Sequence, residues 1–202
     1  MIGVLSCAAC VHEVRPEAPV LSAARAVLPL KVKYWVPPGE VERSERGRYF
    51  NLGIAHAWRV KIGEVVTETF PRMLGTVFAE VTSASRADDV EGADVLVSPV
   101  LTAYEVDEAS FVATMKMRVT VLAPDRHVML EEVISVGPDE TEETIESMGG
   151  VFTADRTLRH SAERALKVLM NKTAERLTQE FKPRATQRKE ATCVSPCLVS
   201  AS

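Results

Sequence analysis

Between residues 110 and 136 the chain alternates apolar and polar positions twice. In "SFVATMKMRVTVLA" (110–123), Phe111, Ala113, Met115, Met117, Val119 and Val121 interleave with Thr114, Lys116, Arg118 and Thr120. A strand turns successive side chains to opposite faces, so the stretch predicts one buried and one wet face. "HVMLEEVISV" (127–136) returns as a second strand after the short turn "APDRH", which makes the two antiparallel neighbours. "DVLVSPVLTAYEV" (94–106) predicts a third long strand, in which Pro99 marks an edge or a bulge. "FAEVTS" (78–83) reads as a short strand. "KVKYWV" (31–36) reads as another, stopped by Pro37-Pro38-Gly39.

Two segments carry the helical period instead. Over residues 57–78, Trp58, Ile62, Val65, Val66, Phe70, Met73, Leu74 and Val77 fall on one stripe, with Pro71 predicting a kink. From Arg156 to Phe181, Leu158, Ala162, Ala165, Leu166, Leu169, Met170, Leu177 and Phe181 form a second stripe. Asp155 fits its N-cap, and Lys182-Pro183 its stop. Both stripes need a surface, and the sheet has one apolar face. The predicted fold is α+β: a two-layer sandwich, with a mixed, mostly antiparallel sheet of about four or five strands and two long helices on one face.

Composition fits one domain with flexible ends. The chain has 202 residues, of which 46% are hydrophobic and 26% charged, enough for a real core. A net charge of −4 with mixed signs argues against a nucleic-acid-binding module. No apolar run reaches the roughly 18 residues of a membrane-spanning helix. "VHEVRPEAPVLSAARAVLPL" (11–30), with three prolines, reads as a flexible tether. The domain then covers 31–182, and 183–202 reads as a mobile tail. "EVERSERGR" (40–48) reads as a solvated loop.

Candidate chemistry is sparse. His12, His56, His127 and His160 lack the spacing of a helical metal site. Asp88, Asp89, Glu91 and Asp94 lack the ligand order of a calcium loop and read as a solvated turn. No nucleophile elbow, phosphate loop or dinucleotide fingerprint occurs. Asn171-Lys172-Thr173 matches a glycosylation triplet by chance within a helix. No metal, cofactor or catalytic residue is assigned. Tyr34 and Trp35 must face opposite sides of their strand, so one lies off the core. An exposed Trp35 would mark a partner-contact surface, while a covered one would be packing under a loop.

The four cysteines, Cys7, Cys10, Cys193 and Cys197, all lie in the terminal segments, which argues against a disulfide framework and a zinc site. Val4-Leu5-Ser6-Cys7 resembles the lipobox of a bacterial lipoprotein signal, and Cys10 fits that pattern less well. On this resemblance residues 1–10 are the remnant of a signal whose start lies upstream of Met1, and Cys7 carries the lipid.

The domain resembles the envelope lipoproteins that accompany lipid-transport ABC systems, together with the more distant lipopolysaccharide-assembly lipoproteins. The resemblance rests on "VKYWVPPGE", "WRVKIGEVVTETFPRMLGTVFAEV", "GADVLVSPVLTAYEV" and "MKMRVTVLAPDRHVMLEEVISV", across residues 31–181. It implies a non-enzymatic adaptor in the periplasm, anchored to the outer membrane by acylated Cys7 and bound to an envelope protein complex. The partner would meet the sheet's wet face or an edge strand. The rival expectation is a ring or scaffold subunit of a larger envelope machine, which would form a homo-oligomer. An enzyme would need a pocket with paired titratable groups, and none is legible.

Overall fold

The computed structural model describes residues 10–21, 27–47, 56–107, 110–141 and 151–193. The fold is α+β, with a five-stranded and a three-stranded sheet and helices packed on them. The five-stranded sheet has the order β5-β2-β6-β7-β8, built from β2 (Leu28–Tyr34), β5 (Phe78–Ser83), β6 (Val95–Val106), β7 (Ala113–Leu122) and β8 (Val128–Val136). β2 runs parallel to both its neighbours, and β6-β7-β8 is antiparallel. The sheet is thus mixed, and its longest pairings are antiparallel, as expected.

The alternation of 110–123 reappears as burial. Ala113, Met115, Met117, Val119 and Val121 are buried, and the residues between them are half-buried or exposed. Helix α2 (Ile62–Val77) and helix α3 (Val151–Cys193) bury their stripes in the same core. Phe78, at the end of α2, meets Phe181 of α3 edge-on at 5.9 Å. Pro71 and Pro183 both lie inside helices that continue past them. Each proline removes one rung, and the turns on either side retain theirs. The predicted stop at Pro183 is therefore wrong: α3 reaches Cys193, and 194–202 lie outside the described residues.

The three-stranded sheet is the larger departure. Its order is β1-β4-β3, from β1 (Cys10–Val14), β3 (Glu45–Gly47) and β4 (His56–Val60). Residues 10–14 therefore belong to a strand, not to a tether. Pro16 beyond them is buried, and Ala18 and Leu21 pack on the core. Trp58 and Val60 lie in β4, so the predicted helix over 57–78 starts only at Ile62. Trp58 is fully buried, stacks on His12 at 5.4 Å and donates Nε1–H to Asp155 Oδ1 at 2.6 Å. Asp155 is the fifth residue of α3 rather than its cap, and its carboxylate serves the buried indole.

Candidate functional site

The two flanks of the five-stranded sheet, and a gap in the middle of it, decide where another chain could join. β2 accompanies β6 only as far as Tyr34 and Val97, and the last rung is Trp35 N–H to Val97 O at 3.1 Å. The next donor on that flank would be residue 99, and Pro99 has no N–H. β2 therefore leaves the sheet there. Helix α1 (Pro38–Val41) and its exit fill the gap. Glu40 Oε2 accepts Leu101 N–H at 2.9 Å, and the Arg43 guanidinium donates to Leu101 O. A carboxylate and a guanidinium thus take the place of a strand's carbonyl and amide.

This short segment is clamped from behind. Gly63 N–H donates to Arg43 O at 3.0 Å, and a Cβ at Gly63 would stand 1.9 Å from Glu40 O. Only glycine permits that approach. The charged run read as a solvated loop is therefore a built plug, which also contributes β3.

At the β8 flank, α3 closes part of the edge. Lys172 Nζ donates to Ser135 O at 2.9 Å and also pairs with Glu140. Arg176 Nε donates to Glu132 Oε2 at 2.6 Å and Nη1 to Glu180 Oε2 at 3.2 Å. These partners hold Arg176 more firmly protonated, and Lys172 lowers the Glu140 carboxyl.

At the β5 flank no such cover exists among the described residues. Ala84 N–H donates to Tyr34 O at 2.8 Å, so residues 80, 82 and 84 turn their backbone groups toward β2. Ala79, Val81 and Ser83 turn theirs away. Ala79, Glu80, Thr82 and Ser83 are exposed. β5 is an open edge of six residues.

A loop over 84–94 carries the chain across β2, from β5 to β6. Asp89 Oδ1 accepts from Lys33 Nζ at 2.7 Å, and its Oδ2 accepts from Ser85 N–H and Oγ–H at 3.0 Å. The Lys33 hydrogen bond is the main reason its carboxyl sits well below the usual range. Asp94 Oδ2 accepts Lys31 N–H at 2.8 Å, and Asp88 pairs with Arg86 and Arg126. Asp88 and Asp89 are thus paired with basic side chains, and no group of three metal-ligating side chains occurs among the described residues.

The residues singled out in the sequence scatter. Cys7 and Cys197 lie outside the described residues, Cys10 opens β1, and Cys193 closes α3. Trp35 is half-buried just past β2 and is not part of the core cluster; Tyr34 packs on the core. The alternation argument thus placed the pair correctly. His127 sits in the β7–β8 turn with Nδ1 2.5 Å from Asp125 Oδ1, an interaction that lowers the aspartate's carboxyl. That pair borders a groove of about 480 Å³ with Leu30, Val95, Met129 and Phe181, whose lining holds no hydroxyl or thiol. His160 lies 3.4 Å from Glu163 on α3.

No protein-family model matches the chain, and no curated protein matches it. Among solved structures it is similar to a hypothetical protein of Chlamydia trachomatis, at 12% identity and a TM-score of 0.46, over 76% of this chain and 96% of that one.

Proposed function

We propose that the chain is a non-enzymatic adaptor of a cell-envelope transport or assembly system, held in the periplasm at the outer membrane by a lipid on Cys7. The observation that carries the reading is the open edge of β5, whose outward backbone groups at Ala79, Val81 and Ser83 have no partner among the described residues. An extended segment of an envelope partner adds there as a sixth strand, with backbone hydrogen bonds for affinity and alternate side chains for selection. Trp35, at the far end of β2, supplies an aromatic contact beside that strand's path. β1 begins at Cys10, so two residues separate the anchor from the fold, a reach of about 10 Å. The domain then sits against the membrane rather than at the end of a tether.

The test uses the natural gene product with its upstream codons. Mass spectrometry should find an acylated Cys7, and cross-linking from residue 81 should capture an envelope protein. Ala79→Pro removes one outward N–H and should abolish that capture while the fold survives. An unlipidated soluble product overturns the anchor, and undiminished capture by the proline variant overturns the edge. A stable ring on light scattering would favour the scaffold reading instead.

A further inference from the structure

The outward face of the small sheet carries an unusual charge pattern. Register sets Glu13 of β1 beside Arg59 of β4, and Arg59 beside Arg46 of β3, in one row across the three strands. Two arginines thus stand directly opposite each other, an arrangement that costs stability unless an anion lies between them. Glu13 is the acid in that row, and Arg59, Lys61 and Arg15 share it at 3.6, 3.9 and 3.6 Å. No acid among the described residues pairs with Arg46, which is exposed. Arg59 Nε is shielded from solvent and meets no acceptor among the described residues. Three cations share one carboxylate and Arg46 stands beside them without an acid among the described residues, on a chain whose net charge is −4. Val11, 52% exposed, lies on the same face.

We infer that this face docks on the surface of an anionic lipid bilayer, with headgroup phosphates seated over the Arg46–Arg59 pair. The inference rests on the proposed anchor, because β1 is the strand that follows Cys7 directly and its outward face is the one brought to the headgroups. The lipid on Cys7 holds the chain at the bilayer, and a basic surface beside it fixes how the domain lies there. The rest of the molecule is acidic on balance, so general electrostatics opposes adsorption. Binding must then come from this face and orients the domain.

The test removes the anchor, so its outcome is independent of whether Cys7 is acylated. The full chain carrying Cys7→Ser is sedimented with vesicles of phosphatidylcholine, or of phosphatidylcholine with phosphatidylglycerol. It should partition onto the second kind only, and less so as salt rises. Arg46→Glu changes the face by two charges and should weaken partitioning on the order of twentyfold, at about fivefold per charge near a surface. It also sets an acid opposite Arg59, so its melting temperature should not fall, which separates lost binding from lost folding. Lys116→Glu, on the outward face of the large sheet, makes the same net change and should leave partitioning within about twofold. Equal binding to both vesicles, or equal losses from the two variants, overturns the inference. So does a preference for free phosphate or nucleic acid that vesicles cannot displace.

Discussion

The sheet ends differently on its two sides. At β8, Lys172 covers a carbonyl and Arg176 ties the strand to α3. At β5, three residues present backbone groups to no described neighbour. The interior gap beside β6 resembles β8, because Glu40 and Arg43 close it with side chains. Long charged side chains protect an edge here while leaving it wet, and the chain spends them at two places out of three. The unprotected strand is the one that invites a partner.

The largest way to break the contrast is Gly63→Ala. The added methyl meets Glu40 O at 1.9 Å, which forces the plug away from Leu101. We expect a loss of about 3 kcal/mol in urea unfolding. Faster amide exchange should be confined to residues 100–103. A loss below about 0.5 kcal/mol would mean that the plug contributes little to closing β6.

A smaller loss is graded by pH. Asp89 pins the strap that crosses from β5 to β6, and its folded carboxyl lies well below its unfolded value. The unfolded chain therefore takes up the proton first as pH falls. The stabilisation is complete above about pH 5, where an unfolded aspartate is almost fully ionised, and is lost as pH falls through the depressed folded value. Asp89→Asn should remove this part of the acid dependence. Parallel pH–stability curves for parent and variant would sink the assignment.

Opening the closed edge tests the comparison from the other side. Lys172→Met frees Ser135 O and should cost about 1 kcal/mol. It should also make the chain associate with rising concentration, read by light scattering, because β8 then has an open edge too. A variant as monodisperse as the parent would show that α3 covers β8 by bulk rather than through this bond.

What could be read from the sequence follows the range of the interactions. The β7–β8 hairpin was legible because a strict alternation and a short turn are local. Strand β1 was not, since its partner β4 lies 46 residues away and Pro16 and Pro19 look like linker chemistry. Trp58, Ile62 and Val65 fit a helical stripe, yet Trp58 and Val60 fit strand alternation equally, and tertiary pairing chose the strand. Composition hid Glu40 and Arg43 in a charged run, although Pro99 signalled that one flank of β6 lacked a donor. That one of Tyr34 and Trp35 lies off the core was legible, because alternation is local; which of the two it is was not. That β5 is an edge was not, because strand order is a property of the whole fold.

The smallest expected effect on stability is also the one that bears most on function. Ala79→Pro removes an N–H that points away from β2, so no ladder bond is lost. The preceding Phe78 is extended, with φ −119° and ψ 147°, the conformation a following proline requires. Proline at an outward position of an edge strand is tolerated, so the unfolding free energy should change by less than about 0.5 kcal/mol. The same change one residue later would strike the β2 ladder at Glu80 and should cost several times more. The contrast between neighbouring prolines therefore reads which way the strand's amides face. If both variants are equally destabilised, β5 is covered on both flanks, and its edge is closed to any partner.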